Sequence, residues 1–277
     1  LEQIQLPEGL SKIGNDSFSG CSALREIHLP ESLTQIENGA FNSCTALTSV
    51  TLPGQITKLN PYVFSGCTAL KEAVLPETLT EIDYYAFNGC TALPEIVIPD
   101  SVTAISGHAF RECSALTSVT LPVSWETVGT GSYSDRSPFA DCTRLTQVTF
   151  PDGMTRIPDY AFSNCVSLEK VIFPEGLTEI GADAFQGCTK LDSLDFPASL
   201  EVIGSSAFEN CTGLRLLNFN ESLQSIGPYA FSGCDGLVSM VLNENLQTLS
   251  NYAFSDCDNL TAARVPKSVT SFGADSF

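Results

Sequence analysis

The stretch "YAFSGCDGL", residues 229–237, contains the pattern that decides the fold, because its Phe, Cys and Leu recur along the whole chain. Each of the eleven cysteines follows a Phe by three residues and precedes a Leu by three. Successive cysteines are 23 residues apart, except for one interval of 29. A fixed apolar frame with such a period is typical of a solenoid, in which each repeat buries its apolar face only against its neighbours.

One repeat, "LREIHLPESLTQIENGAFNSCTA" (residues 24–46), contains two kinds of apolar spacing. Ile27 and Leu29 alternate with polar residues, which predicts a short strand with one buried face. The following proline cannot donate to a hydrogen-bonded ladder and therefore ends the strand. The Phe, Cys and Leu of the frame then follow at intervals of three, which predicts a short helical or 3-10 turn.

The sequence therefore predicts an α/β repeat solenoid over residues 1–277, with about twelve turns of 23 residues. We expect an arc with a parallel β-sheet on the concave face and short helical or 3-10 turns on the convex face, because helical turns are wider than strands. The long interval between cysteines predicts a loop insertion at residues 129–138. The chain begins at Leu1 and stops at Phe277, both within a repeat, so we expect exposed apolar ends and end-to-end self-association.

The charge balance excludes one class of partner. Thirteen basic and 32 acidic residues give a formal net charge of −19, which repels nucleic-acid phosphates and anionic lipid surfaces. We therefore expect no nucleic-acid binding. No apolar run approaches the roughly 18 residues that a spanning helix needs, so we expect no membrane insertion.

The cysteines are predicted to be small buried residues between Phe and Leu rather than reactive groups. Stacked Cβ vectors run parallel, whereas a disulfide draws the two Cβ atoms to about 3.8 Å. A zinc site needs four converging ligands, and a column of cysteines does not converge. His28 and His108 add no ligand spacing. We therefore predict no metal site and no cofactor.

The repeats "LTSVTLPGQITKLNPYVFSGCTAL" and "LEKVIFPEGLTEIGADAFQGCTKL" resemble the BspA-like branch of the leucine-rich repeats, in which L-x-x-I-x-I-P is followed by L-x-x-I-G-x-x-A-F-x-x-C. The resemblance covers the full length. Asn220 and Asn243 depart from it at the strand-ending proline, and Ala73 and Ala263 depart at a branched core position. The resemblance implies a surface-exposed or secreted protein of host-associated bacteria, with adhesion or ligand binding and without catalytic residues.

Three functions are weighed for such a surface: a binding module, a passive spacer and an enzyme. An enzyme needs unlike polar residues that converge in a pocket, whereas a solenoid surface presents rows. The acidic row after the prolines is interrupted at Gly54, Val123 and Ala198, which favours a solvated rim over a calcium site. We predict a cell-surface or secreted module, not an enzyme, that recognises an extracellular protein or glycan. A passive spacer within a larger surface protein is the alternative.

Outward strand positions supply the first candidate ligand-binding residues. They form a short-chained, partly apolar row, although β-branched residues also suit strands that have no partner. The candidates are Val74, Val97, Thr120 and Thr149.

The loop insertion supplies the second group of candidates. Trp125 replaces the usual aliphatic anchor before the loop, and Tyr133 and Arg136 are residue types enriched at binding hot spots. A tolerated surface insertion is an equally good interpretation.

An aromatic column is predicted two residues before the Phe of the frame. Such a column either forms a stacking surface or covers the turn below it. Its members are Tyr62, Tyr85, His108, Tyr160, Tyr229 and Tyr252.

Overall fold

The computed structural model describes residues 1–123, 125–128 and 137–277. It forms two compact units, Leu1–Leu145 and Thr146–Phe277. Strands of two series alternate along the chain, except that the first two strands both belong to the second series. First-series strands follow the Leu of the frame, and second-series strands precede its Phe.

In the first unit, the first series contains β3 (Ser49–Thr51), β5 (Glu72–Val74), β7 (Glu95–Val97) and β9 (Ser118–Thr120). The second series there contains β1 (Lys12–Ile13), β2 (Gln35–Ile36), β4 (Lys58–Leu59), β6 (Glu81–Ile82), β8 (Ala104–Ser106) and β10 (Glu126–Val128).

In the second unit, the first series contains β11 (Gln147–Thr149), β13 (Lys170–Ile172), β15 (Ser193–Asp195), β17 (Leu216–Asn218), β19 (Ser239–Val241) and β21 (Ala262–Arg264). The second series there contains β12 (Arg156–Ile157), β14 (Glu179–Ile180), β16 (Val202–Ile203), β18 (Ser225–Ile226), β20 (Thr248–Leu249) and β22 (Ser271–Phe272).

Strands of one series pair in parallel with equivalent residues opposite each other. In the first series, Val50 of β3 lies opposite Ala73 of β5. In the second series, Ile180 of β14 lies opposite Ile203 of β16. The second series forms one four-stranded sheet from β4, β6, β8 and β10. It forms one six-stranded sheet from the even-numbered strands β12, β14, β16, β18, β20 and β22. Because the register is kept, each row of side chains stays on one face of its unit.

The Phe rings of the frame stack directly on one another in the core. The ring centroids of Phe41 and Phe64 lie 5.5 Å apart, and those of Phe64 and Phe87 lie 5.4 Å apart. All three side chains are fully buried. The Cys67 thiol lies in the same core and donates a hydrogen bond of 3.2 Å to the carbonyl oxygen of Phe41. Successive repeats are therefore joined by aromatic stacking and by thiol hydrogen bonds.

The predicted parallel repeat solenoid is correct, but the helical or 3-10 turns on the convex face are wrong. No residue within the described ranges lies in a helix. The amide of Phe64 donates a 2.8 Å hydrogen bond to the carbonyl of Ala86 in the next repeat. In an α-helix it would donate to the carbonyl four residues earlier. Tyr62 and Gly66, on either side of Phe64, have φ of 60° and 69°. A helix cannot contain such left-handed residues at every fourth position.

The spacing of three comes from consecutive β-turns. The amide of Cys67 donates to the carbonyl of Phe64, and the amide of Leu70 donates to that of Cys67, at 3.2 and 3.0 Å. Gly66 lies at the third position of the first turn, where a type II turn requires positive φ. The described part of the chain is thus a parallel β-solenoid with turns rather than an α/β solenoid.

Candidate functional site

The first-series face of the first unit contains a break between β5 and β7. The amide of Lys71, just before β5, donates to the carbonyl of Thr48 at 2.8 Å. The amide of Thr117, just before β9, donates to the carbonyl of Pro94 at 2.8 Å. Pro94 occupies the equivalent position before β7 and has no amide hydrogen to donate to Lys71. Accordingly, β5 pairs with β3 and β7 pairs with β9, but β5 and β7 belong to separate sheets.

A groove of about 460 Å³ lies at this break, lined by residues 71–75 and 95–97. Val74 and Val97 line it, with 45% and 63% of their surface exposed. Ala73 stands where β3 and β7 place the buried Val50 and Ile96. An alanine fills less volume than a branched side chain, and the half-buried Ala73 itself lines the groove.

The polar residues of the groove keep their charges available to a ligand. Glu72 and Glu95 are exposed and occupy equivalent positions of consecutive repeats, with the exposed Lys71 beside them. Within the described part of the chain, none of these three side chains forms an ion pair. The groove therefore combines an apolar pair of valines with two carboxylates and one ammonium group.

The remaining strand candidates lie apart from this groove. Thr120 of β9 is exposed and lies directly opposite Val97 in the parallel pair β7–β9. It extends the row by one repeat. Thr149 of β11 is exposed in the second unit, where it lies opposite Ile172.

The structure places Trp125 in the core. Its side chain is 5% exposed, and its ring stacks on that of Phe139 with centroids 5.7 Å apart. Trp125 thus extends the aromatic packing of the first unit. Tyr133 and Arg136 lie outside the described residues, as does most of the predicted insertion at residues 129–138.

The aromatic column on the turn side uses its ring faces within the protein. Tyr62 and Tyr85 stack with centroids 4.9 Å apart, and the Tyr85 hydroxyl forms a 2.9 Å hydrogen bond with Nδ1 of His108. In the second unit, Tyr229 and Tyr252 stack at 4.8 Å. Since each stacked ring covers the face of the next, this geometry favours a role in covering the neighbouring turn.

Burial makes the thiols poor nucleophiles. Ten of the eleven cysteines are buried, and Cys21 is half-buried. Burial raises the pKa of Cys113 and of Cys211 to about 12. The thiolate is the reactive form of cysteine, and it is scarce at neutral pH when the pKa is so high.

Residues with metal-binding side chains do not gather in the described ranges. No group of three or more His, Cys, Asp or Glu side chains there has a geometry suited to an ion. The described residues also contain no helix long and apolar enough to cross a membrane.

The family comparison agrees with the repeat geometry. The BspA type leucine-rich repeat region matches in six copies, over residues 1–117, 80–214 and 212–277. The chain belongs to this family.

Several solved structures similar to this BspA-type chain come from bacteria. A leucine-rich repeat protein from Bacteroides ovatus ATCC 8483 is 30% identical, with a TM-score of 0.61 over 97% of this chain and 79% of that one. Two others show the shared fold alone. The pneumococcal vaccine antigen PcpA is 21% identical, with a TM-score of 0.59 over 98% of this chain and 70% of that one. A leucine-rich repeat protein from Eubacterium ventriosum ATCC 27560 is 23% identical, with a TM-score of 0.52 over 89% and 82%. No curated protein sequence matches the chain.

The groove depends on residues that the strand pattern did not single out. Pro94 follows the Leu of the frame, one position before the strand, where other BspA-type repeats of this chain have residues such as Thr48 and Thr117. A proline at a position that donates to the ladder is a sequence signal for this break, although first-series sheets also end between β13 and β15 and between β17 and β19, where the equivalent residues are Asp192 and Val238. Ala73 was a visible departure from the family pattern, and it lies in the same groove.

Proposed function

We propose that this chain is a binding module of a bacterial cell-surface or secreted protein, and that it recognises an extracellular macromolecule through the groove between β5 and β7. The observation that carries this proposal is the break at Pro94, where two exposed valines lie beside unpaired charges. Partly apolar centres with polar rims are typical of protein interfaces.

The repeat scaffold supports binding without catalysis. The buried thiols are poor nucleophiles, and the groove residues are held on paired strands that give a preorganised surface. A rigid surface loses less conformational entropy on binding than a mobile loop does. The surface or secreted location rests on the family and on the bacterial origin of similar structures.

A passive spacer is the second candidate function. It is favoured by the regular core, in which Phe rings, thiols and backbone ladders join each repeat to its neighbours. A spacer needs no exposed apolar groove, so the two functions differ in what a surface substitution does.

The test is a binding screen of the full chain against immobilised host matrix proteins, followed by titration of the strongest partner. We expect Val97→Glu to raise the Kd at least tenfold, or about 1.4 kcal/mol, because it places a third carboxylate in the apolar part of the groove. Val241→Glu is the matched control: Val241 occupies the equivalent strand position in the second unit and is 59% exposed. Equal effects of the two variants contradict a site at β5–β7, and absence of binding to every matrix protein favours the spacer.

A further inference from the structure

The row of residues just before the second-series strands has a structural role in three repeats. Thr34, Thr80 and Thr178 belong to this row. Each threonine hydroxyl donates a 3.0 Å hydrogen bond to a backbone carbonyl of the preceding repeat. The hydroxyl groups are thus used inside the protein.

Three consecutive repeats of the second unit depart from this arrangement. Glu201, Gln224 and Gln247 occupy the row there, and all three are exposed. Their backbones keep the ladder, since the amide of Gln224 donates to Glu201 and that of Gln247 donates to Gln224, both at 2.9 Å. Within the described residues, the side-chain carboxylate and amides form no hydrogen bond or ion pair. Their bonding capacity is therefore directed to solvent.

These side chains line a groove of about 450 Å³ together with Glu221, Ser222, Asn245 and Ser268. Two wall residues are fixed by the backbone. The Asn245 amide donates to the carbonyl of Glu221 at 2.9 Å, and the Ser268 hydroxyl donates to that of Leu246 at 2.7 Å. The free amides thus project between walls that are already held in place.

The adjacent row carries no charge in these repeats. At two other places the first residues of second-series strands form ion pairs between repeats, Lys58–Glu81 and Arg156–Glu179. The equivalent residues Val202, Ser225 and Thr248 are uncharged. No basic side chain lines the groove, so it lacks the group that usually binds phosphate or sulfate.

We propose that this groove binds a neutral, polyhydroxylated ligand, an oligosaccharide whose units lie along consecutive repeats. A glutamine amide both donates and accepts hydrogen bonds, and Glu201 accepts them, which matches hydroxyl groups that do both. The lining residues include no aromatic or large aliphatic anchor of the kind that dominates protein–protein interfaces. The two carboxylates of the lining repel an anionic sugar.

The test titrates the full chain with maltohexaose, cellohexaose and laminarihexaose, and follows binding by saturation-transfer NMR and calorimetry. We expect at least one hexasaccharide to bind. Gln224→Ala and Gln247→Ala are expected to raise its Kd at least tenfold, because each removes an unpaired amide from the groove. Thr80→Ala is the matched control: it changes the same row in the first unit, and we expect it to alter the Kd less than twofold. Circular dichroism of each variant checks that it folds.

Three results overturn the proposal. The first is the absence of binding by all three sugars, and the second is an equal effect of the Gln224 and Thr80 substitutions. The third is binding that a calcium chelator abolishes, which indicates a cation site. Val97→Glu separates this proposal from the function proposed above. We expect it to leave the Kd for the sugar unchanged and to raise the Kd for the matrix protein.

Discussion

The cysteine of each repeat shows what a single residue contributes to this fold. Its burial could be predicted from the spacing of Phe, Cys and Leu, and it is confirmed for ten of the eleven cysteines. Its hydrogen bond could not be predicted, because no local pattern shows that the thiol of Cys67 lies beside the carbonyl of Phe41, 26 residues away. A sulfur at this position packs as an apolar atom and still satisfies a backbone acceptor.

Thiol reactivity tests this arrangement. Burial raises the pKa of the core thiols, while Cys21 alone is half-buried. We therefore expect native protein to give one fast equivalent with a water-soluble thiol reagent at neutral pH, and denatured protein without reductant to give eleven. Cys21→Ser is expected to remove the fast equivalent. Several fast equivalents in the native protein contradict the buried column.

At the scale of the element, the turn segment is where the sequence interpretation failed. A spacing of three is shared by 3-10 turns and by consecutive β-turns, so the apolar residues alone do not separate them. A second sequence pattern distinguishes the two kinds of turn. The position two residues after the Phe contains Gly20, Ser43, Gly66 and Gly89 in successive repeats, residue types that favour turns and, for glycine, positive φ.

The segments after the second-series strands stack closely on the backbone of the preceding repeat. A Cβ atom added at Gly204 would lie 2.8 Å from the backbone nitrogen of Ala182 in the preceding repeat. Gly204→Ala is therefore expected to destabilise the protein by about 1–3 kcal/mol, because the backbone cannot move aside without disturbing the ladder. Urea unfolding measures the effect.

Gly176→Ala is the control for that substitution. Nothing lies within 4 Å of a Cβ atom at Gly176. We expect its unfolding midpoint to stay near that of the parent protein, since it adds a methyl group in open space. Equal midpoints for the two variants contradict the tight stacking.

At the scale of the whole molecule, the repeat period carried most of what could be predicted. The stacked parallel repeats and the family could be predicted from the apolar frame, in which Phe, Cys and Leu stay three residues apart around every cysteine. The candidate groove could be predicted only in part from the sequence. Val74 and Val97 could be selected from their outward positions, but their common groove lies at a break in the ladder, where Pro94 has no amide hydrogen to donate. A ladder hydrogen bond joins residues distant in sequence, so an apolar pattern does not reveal it.

The secondary structure of the intact chain is testable in solution. Since the described residues contain only strands, turns and irregular segments, the far-ultraviolet circular dichroism spectrum is expected to lack the double minimum of an α-helix. A helical spectrum from the intact chain contradicts this. Trifluoroethanol supplies a comparison, because it induces helix in chains that have the propensity.

The register of one repeat has a consequence for how such genes change. Within each unit, strand pairing and Phe stacking join a repeat to its immediate neighbours. An unequal recombination that duplicates or deletes one 23-residue repeat therefore keeps the frame intact on both sides. The same event brings formerly separate surface residues side by side. Duplication and deletion of whole repeats can thus create new surfaces while each intermediate protein still folds.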